Sequence, residues 1–556
     1  MRSPTLHSSP YCYNNNVSDQ TITTASTSTI TLPISTTTLE FLEELPFHIN
    51  SDSTDDPLMD LSIEELLSDA YPNSKNPSDG FLNFHALKIC TSNARQMSKY
   101  LQLSMGFDEV AYRGLETGSC MICSHVLRNG EIVLEIVNTL ESVDLDDDVL
   151  TLPCFGDVDD IQKIRVCLNE LAFDYVNHKV DNLLVLEPDE KVSRFSWKFY
   201  KKIISSKIHK QNVSEYVTST INNSEAIYND IMETALIQTF LNKHSDGVMD
   251  ISFLVTDVDT IFTRIINSDT LIQILQAPHI ITDNNGSVKL CTIRIPNTDI
   301  NHTLIENINY FGPYLPNYTH PITSNDDFTT QLSQLPPINL TSLDHCVENY
   351  SWNQMMTQAS LYATIFGFHK YWSADEQDVG TQFTALRSIV MASSNGKIKM
   401  PINEPVKTRL RGQIEEFNDF NGGPGIQHVA FRTNDIVDTV TGLMQRGVEF
   451  NVAAKGYYDV LEKRLRDDDV VLGEDLDELK KLNILVDYDK STRNKRTKKC
   501  HYILQIFSKP LHDRPTLFIE IIQRYHHNGF GKGTFKGLFE SIEEQQKLRG
   551  TLVESD

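Results

Sequence analysis

Gly425-Ile-Gln-His-Val-Ala-Phe431 is the stretch that decides the fold, because a matching apolar strand occurs earlier in the chain as Gly247-Val-Met-Asp-Ile-Ser-Phe253. Upstream of each, a strand-like run leads into a helical stretch that ends at a Gly-Phe pair, Gly106-Phe107 in one half and Gly367-Phe368 in the other. One order of strand, helix and strands is therefore used twice, and a repeat of this kind predicts two related domains.

A third matching strand follows in each half, His302–Glu306 in the first and Pro515–Glu520 in the second. Apolar residues alternate within the strands, which indicates sheets that are buried on at least one face. The predicted fold class is α+β, with two tandem domains, each a curved mixed sheet that carries its helices outside. We place an N-terminal structural domain at residues 80–320 and a C-terminal domain at residues 321–556.

Three stretches lie outside the repeat. Residues 1–79 are acidic and rich in Ser and Thr, and we expect them to be mostly disordered because they hold too few apolar groups to offset the entropy of ordering. Residues 139–235 are an insertion in the first domain, and the basic residues 490–499 predict an exposed hairpin loop. No function is assigned to these three stretches.

Composition and charge exclude several classes of protein. The chain has 556 residues, of which 40% are hydrophobic and 9% aromatic, so it can bury a sizeable core. A net charge of −26, from 49 Lys and Arg against 75 Asp and Glu, argues against nucleic acid as a partner but leaves room for a local basic patch. No apolar run reaches the roughly 18–20 residues of a membrane span, and no signal-peptide pattern begins the sequence.

The nine cysteines indicate a reducing compartment, because a chain of this length does not need disulfide bonds to be stable. The close pair Cys120-x-x-Cys123 lacks the second pair that a zinc site needs. We interpret it as two incidental strand cysteines rather than as a redox motif. The expected location is the cytoplasm.

Three residues that can ligate a metal occur in strand contexts of the second half: His345, His428 and Glu520. Glu520 lies within an apolar strand, where an ionised carboxylate is costly unless something compensates it. A metal is the simplest compensation, and two imidazoles with one carboxylate form the facial triad of non-haem iron(II) oxygenases. The alternative is a buried glutamate held by an arginine, with two histidines that satisfy core hydrogen bonds.

The first half offers His85, Asp250 and Glu306 as the equivalents of this triad. The residue before Asp250 is Met249, whereas the second half has a glutamine before its second histidine. We therefore interpret the first site as degenerate and structural.

Polar groups around the candidate triad are suited to orient an anionic substrate, because neutral amides fix orientation without a second buried charge. Alternation places Gln505 and Phe507 on one face of their strand, whereas Gln427 should face away from the triad unless its strand bulges. The candidate substrate residues are Ser388, Asn403, Gln413, Gln427, Gln505, Phe507, Phe518, Phe530 and Phe535, and among them Gln413, Gln427 and Gln505 are the candidate catalytic residues. For each amide taken alone, a structural hydrogen bond is the alternative role.

The end of the chain predicts a lid. Gly529-Phe-Gly-Lys-Gly533 is a flexible segment, and residues 533–549 then form an amphipathic helix that pairs Glu543 with Lys547 on its outer side. Gly550 is the expected C-terminal stop. Such a helix could close over a pocket and exclude water, and a plain packing helix is the alternative.

Several long motifs resemble the 4-hydroxyphenylpyruvate dioxygenase family, in the family's order over about residues 80–138 and 236–552. One departure is Thr534, where plant relatives carry Asn. The related hydroxymandelate synthases differ at the Pro-x-Asn and wall-phenylalanine positions, where Pro401, Asn403 and Phe507 are like the dioxygenase. The motifs include Ala111-Tyr-Arg-Gly-Leu-Glu-Thr-Gly-Ser119, Leu386-Arg-Ser-Ile-Val390, Met400-Pro-Ile-Asn-Glu-Pro405, Gly422-Gly-Pro-Gly-Ile-Gln-His-Val-Ala430, Leu504-Gln-Ile-Phe-Ser-Lys-Pro510 and Asp513-Arg-Pro-Thr-Leu-Phe-Ile-Glu520.

The resemblance implies a vicinal-oxygen-chelate fold, in which βαβββ modules form open barrels and the C-terminal barrel is the catalytic, iron-binding domain. It implies one Fe(II) per chain, held by His345, His428 and Glu520, and conversion of 4-hydroxyphenylpyruvate and O2 to homogentisate and CO2 in tyrosine catabolism. The reaction would combine decarboxylation, ring hydroxylation and side-chain migration, in a homodimer or homotetramer. A 4-hydroxymandelate synthase and a non-catalytic binding scaffold of the same fold are the alternatives.

Overall fold

A computed structural model describes residues 62–68, 78–119, 121–140, 224–268, 270–321, 326–375 and 380–555. The predictions for the N-terminal tail and for the insertion fall largely outside these described residues. All of the described residues belong to one compact unit, Asp55–Asp556.

Two eight-stranded mixed sheets organise this unit. The first sheet contains β1 (Phe81–Cys90), β2 (Asp108–Arg113), β3 (Ile122–Asn129), β4 (Ile132–Thr139), β5 (Gly247–Val255), β6 (Gln273–Asp283), β7 (Gly286–Arg294) and β8 (Asn301–Asn307). The second sheet contains β9 (Leu340–Asn349), β10 (His369–Ala374), β11 (Leu386–Ala392), β12 (Lys399–Pro405), β13 (Gly425–Thr433), β14 (Leu485–Asp489), β15 (His501–Phe507) and β16 (Phe518–Tyr525).

Both sheets have the same topology. Their strand orders are β2-β3-β4-β1-β5-β8-β7-β6 and β10-β11-β12-β9-β13-β16-β15-β14. In each sheet an antiparallel central pair is flanked on both sides by a parallel pairing. In the first sheet the central pair is β1–β5, with β4 parallel to β1 and β8 parallel to β5. In the second sheet it is β9–β13, with β12 parallel to β9 and β16 parallel to β13. Each sheet is therefore built from two βαβββ modules, which confirms the predicted fold class. The proposed boundary between residues 320 and 321 lies between the two sheets.

The helices cover the sheets, and none of those described here is long and apolar enough to cross a membrane. Residues 490–499 connect the antiparallel strands β14 and β15, so the prediction of a hairpin loop is confirmed. The helices are α1 (Ile63–Leu66), α2 (Ala94–Met105), α3 (Ser224–His244), α4 (Val258–Ile266), α5 (Asp326–Leu332), α6 (Met355–Phe366), α7 (Gln413–Asn421), α8 (Ile436–Gln445), α9 (Tyr457–Asp467), α10 (Leu476–Lys481) and α11 (Lys532–Arg549).

The repeated Gly-Phe pair has a physical explanation. Gly106 and Gly367 end α2 and α6 in the left-handed conformation, at φ 72° and 71°, where a glycine carries no steric penalty. The phenylalanine that follows each glycine is buried in the core. The ring of Phe81 packs edge-on against Phe253 of the first sheet and against Phe368 of the second half, so the two halves share one apolar core.

Candidate metal centre

The second sheet brings the three candidate ligands together on neighbouring strands. His345 lies on β9, His428 on β13 and Glu520 on β16. Glu520 Oε2 is 3.2 Å from His345 Nε2 and 3.3 Å from His428 Nε2, and the three donor atoms lie within 4.8 Å of one another. All three side chains are buried. Two imidazoles and one carboxylate from three neighbouring strands of the second sheet therefore converge.

Two strand bulges orient the histidines. Gln427 is an extra residue on β13, and Asp344 is an extra residue on β9. Each bulged residue precedes a candidate ligand, and its side chain turns toward that histidine instead of away from it. His428 Nδ1 donates to Gln427 Oε1 at 3.0 Å, and His345 Nδ1 donates to Asp344 Oδ1 at 2.8 Å. These bonds leave Nε2 of each neutral ring as the atom that can ligate a metal.

Asp344 is held in turn by Arg524, and sequence reasoning missed both residues. Arg524 Nε and Nη2 each donate to Asp344 over 2.8 Å, in a bidentate pair that is almost fully buried. Arg524 lies four residues after Glu520 on β16, and alternation places the two side chains on the same face. That spacing is a signal that could have identified the arginine.

The charges of the site depend on one another. Burial raises the pKa of Glu520, but the nearby His345 and His428 outweigh burial and hold this pKa at about 2. Burial opposes protonation of His345, yet Glu520 and Asp344 raise its pKa above the ordinary value. Burial lowers the pKa of His428. The pocket therefore stabilises an ionised carboxylate next to imidazoles, which is the protonation state that metal binding requires of the carboxylate.

The three candidate glutamines join this network. Gln505 Nε2 donates to Glu520 Oε1 at 2.8 Å. Gln427 Nε2 donates to Gln413 Oε1 at 3.1 Å, so Gln413 at the start of α7 is linked through Gln427 to His428.

Ser388 and Asn403 face each other on the paired strands β11 and β12, and both are buried. Asn403 Nδ2 donates to Asn349 Oδ1 at 3.2 Å. Asn349 Nδ2 is buried and has no hydrogen-bond partner among the described residues. Because an unpaired buried donor is costly, Asn349 is a further residue that could bind a ligand.

Aromatic rings surround the histidines. Phe518 stacks on His428 with the ring centroids 4.8 Å apart, and Phe507 meets the same ring edge-on at 5.9 Å. Phe530 packs against His345 at 5.0 Å. Phe535 lies in α11, but its side chain is outside the described part of the structure.

Helix α11 follows Gly531, which has a φ of 86°, and ends at Gly550, as the sequence predicts. The prediction that Glu543 lies on the outer side with Lys547 is wrong. Glu543 is buried and accepts hydrogen bonds from Thr381 and Thr384 at 2.5 and 2.6 Å. The helix therefore has a polar anchor as well as apolar contacts, and its role as a lid remains a prediction.

The first sheet does not reproduce the triad. In the second sheet Ala430 pairs with both His345 and Glu520. The residue of the first sheet that matches Ala430 is Ser252, and it pairs with Ala86 and Thr303. Strand register thus identifies Ala86 as the counterpart of His345 and Thr303 as the counterpart of Glu520. Neither residue is a strong metal ligand.

The assignment of His85 and Glu306 as equivalents is therefore wrong, whereas Asp250 does match His428 in register. His85 stacks on a tyrosine ring, and Glu306 accepts a hydrogen bond from the Val258 backbone at the start of α4. Among the described residues, the one group of three clustered metal-ligating side chains is in the second sheet.

Known proteins share this fold and much of this sequence. A family model described as the Glyoxalase/Bleomycin resistance protein/Dioxygenase superfamily matches residues 342–470. A 4-hydroxyphenylpyruvate dioxygenase of Coccidioides posadasii is 36% identical over 487 residues, which are 88% of this chain and 98% of the relative. The 4-hydroxyphenylpyruvate dioxygenase of Danio rerio is 32% identical over 85% of this chain and 93% of the relative.

A solved structure shows the same fold. A mutant of 4-hydroxymandelate synthase from Streptomyces coelicolor superposes with a TM-score of 0.57 and covers 84% of this chain and 99% of its own. Its sequence identity to this chain is 22%, so this similarity concerns the fold alone.

Proposed function

The chain belongs to the 4-hydroxyphenylpyruvate dioxygenase family, and we propose that His345, His428 and Glu520 hold one iron(II) ion in it. The chain is a dioxygenase that converts 4-hydroxyphenylpyruvate and O2 to homogentisate and CO2. The observation that carries the iron proposal is the convergence of two imidazole Nε2 atoms and one carboxylate oxygen within 4.8 Å.

The donor set fits a divalent metal with open coordination positions. Two neutral nitrogen donors and one anionic oxygen suit iron(II), and three protein ligands leave coordination positions for a substrate and for O2. The hydrogen bonds from the two Nδ1 atoms support the fit, because such bonds orient metal-binding histidines. When bound, the iron would chelate the 2-oxo acid and supply the redox chemistry that activates O2.

The residues around the metal would position the substrate. Gln505 orients Glu520 through its hydrogen bond. Gln413 and Gln427 form an amide pair that could donate a hydrogen bond to a substrate oxygen or accept one from a substrate hydroxyl. Ser388 and Asn403 face each other on neighbouring strands of the same sheet, and we propose that they also contact the substrate. Neutral hydrogen-bonding groups of this kind orient a charged substrate at low cost in desolvation.

Aromatic walls would enclose the phenol ring of the substrate. Phe507 and Phe518 pack around His428, and Phe530 packs beside His345. We infer that these rings, together with Phe535 of α11, hold the aromatic group and exclude water during the reaction.

We also propose that the chain acts in the cytoplasm, as a homodimer or homotetramer.

Product analysis tests the reaction. The full chain is loaded anaerobically with iron(II) and 4-hydroxyphenylpyruvate, then exposed to air, and the products are separated by chromatography. Homogentisate is the expected product. 4-Hydroxymandelate would replace the proposal by a synthase, and a chain that binds iron without consuming O2 would indicate a binding scaffold.

Substitution of the carboxylate tests the proposed ligands. Glu520→Gln should reduce both iron content and turnover, because the amide cannot supply the negative charge. Glu306→Gln is the matched control, since it removes a carboxylate from the first sheet, far in sequence from the triad. Full iron content and activity in the Glu520→Gln variant would refute the proposed ligand set.

A further inference from the structure

A cavity of about 430 Å³ lies at one end of the second sheet. Lys399, Arg432 and Arg524 line it on three different strands, together with His369 and His527. None of the described residues that line it is acidic. We call this cavity the basic pocket. Arg432 follows His428 by four residues on β13, and Arg524 follows Glu520 by four residues on β16. At the usual rise of a strand, four residues span about 13 Å.

Among the described residues, two of the three cations of the basic pocket have no acidic partner. Arg524 is neutralised by Asp344 through two hydrogen bonds. Lys399 has the ring of Tyr371 as its cation–π partner, 5.8 Å away, and forms no ion pair with the described residues. The side chain of Arg432 forms neither an ion pair nor a hydrogen bond with the described residues. Lys399 and Arg432 therefore have no ion-pair partner within the part of the chain that the structure describes.

Both unbalanced cations are partly buried. Burial lowers the pKa of Lys399, and the positive charges of Arg524 and Arg432 lower it further against the opposing effect of Asp344. Partly buried like charges repel one another and lose hydration, so an anion that enters the pocket gains attraction from both. This local surplus of positive charge occurs in a chain with a net charge of −26.

We propose that the basic pocket binds the phosphate group of a small phosphorylated molecule. A phosphate monoester carries a charge of about −1.5 to −2 near pH 7, which matches the two unbalanced cations better than a single carboxylate does. The cavity is larger than a phosphate ion alone, and the rings of Tyr371 and Tyr525 line the remaining space. Those rings could contact an organic group attached to the phosphate.

The ligand would also touch the support of the metal centre. Arg524 donates to the backbone oxygens of His527 and Gly529, and its guanidinium lies 5.0 Å from the centre of the Phe530 ring. The same arginine holds Asp344. The binding proposal nevertheless stands independently of the dioxygenase reaction, because the two cations that carry it ligate no metal.

Calorimetric titration of the full-length protein tests the proposal. Inorganic phosphate and phenyl phosphate are compared with acetate at constant ionic strength. We expect both phosphates to bind and acetate to bind at least about tenfold more weakly. Tighter binding of phenyl phosphate would identify a monoester as the occupant, whereas equal binding would identify free phosphate. Absence of phosphate binding up to about 20 mM would refute the proposal.

Variants locate the bound phosphate. Lys399→Met and Arg432→Met should each weaken phosphate binding about tenfold or more. Lys397→Met is the matched control, because Lys397 is exposed two residues from Lys399 and does not line the pocket, and it should change binding by less than about twofold. Equal binding in all three variants would overturn the assignment.

A metal-free chain distinguishes the basic pocket from the metal centre. Glu520→Gln, which should lose iron, should still bind phosphate with the affinity of the parent chain. Loss of phosphate binding in this variant would show that the anion sits on the metal instead. Folding of every variant is checked by circular dichroism, and the two pocket variants provide independent tests if one of them is unstable.

Discussion

Asp344→Asn is the substitution that best tests how the metal centre is supported. The carboxylate of Asp344 is buried, accepts the Nδ1 proton of His345 at 2.8 Å and accepts two hydrogen bonds from Arg524, also at 2.8 Å. Asparagine occupies the same volume but offers one oxygen where the carboxylate offers two. The variant therefore removes the charge and at least one hydrogen bond without creating a cavity.

Two effects of this substitution can be estimated. Arg524 would remain 7% exposed without its counter-charge, and breaking a buried pair in this way costs about 3–5 kcal/mol of unfolding free energy. A neutral amide is a weaker acceptor than a carboxylate behind the metal-binding His345, and altering such a partner lowers metal affinity by about 10–100-fold, or about 1–3 kcal/mol. Stability and metal affinity should therefore fall together.

Urea unfolding of the metal-free chain measures the first effect, and an anaerobic iron(II) titration measures the second. The matched control is Asp419→Asn, which breaks an exposed pair with Arg411 and should cost less than about 1 kcal/mol, with metal affinity unchanged. An Asp344→Asn chain that loses less than about 1 kcal/mol and binds iron within about twofold of the parent would refute this account of the site.

Three further substitutions test the site, the core and a buried ion pair. Gln505→Leu removes the amide that donates to Glu520 Oε1 at 2.8 Å. An iron(II) titration should therefore show an affinity about tenfold lower, and an unchanged affinity would contradict the role of this amide. Phe81→Ala should lower the free energy of unfolding, measured in urea, by about 3–5 kcal/mol, because this buried ring packs on aromatic rings of both halves. A loss below about 1 kcal/mol would show that the shared core contributes little to stability. Burial opposes protonation of His125, but its contacts with Cys123 and with Glu109, 2.6 Å away, raise its pKa from 6.5 to about 9. A raised pKa contributes stability that is complete below pH 6.5 and is lost as the pH rises through 9, so Glu109→Gln should cost up to about 3 kcal/mol at pH 6 and little at pH 10. Urea unfolding at both pH values checks this, and a cost independent of pH would exclude the charged pair as its source.

The sequence alone was sufficient for the repeat and for the identity of the candidate ligands. Helix ends such as Gly367-Phe368 and the alternation within strands are local signals, because they depend on residues close together in the chain. The unusual position of Glu520 within an apolar strand was visible for the same reason. Local patterns therefore predicted two related mixed sheets and drew attention to the second one, whereas the βαβββ modules were implied by the family resemblance.

The positions of side chains at the site depended on tertiary structure. Gln427 and Asp344 face the histidines because each is the extra residue of a bulge, and bulges arise from the pairing of strands that are far apart in sequence. The same dependence on pairing made Thr303, and not Glu306, the counterpart of Glu520. Periodicity cannot reveal a shift of register, because a shift leaves the local pattern unchanged.

The sequence by itself determined the elements, their repetition and the chemical types available for a metal site. Only the tertiary structure decided that Arg524 supports Asp344, that Glu543 is buried, and that Lys399 and Arg432 meet in one pocket. The physical reason is that secondary structure and amphipathic patterns are set by neighbouring residues, whereas burial and charge balance depend on contacts between distant segments.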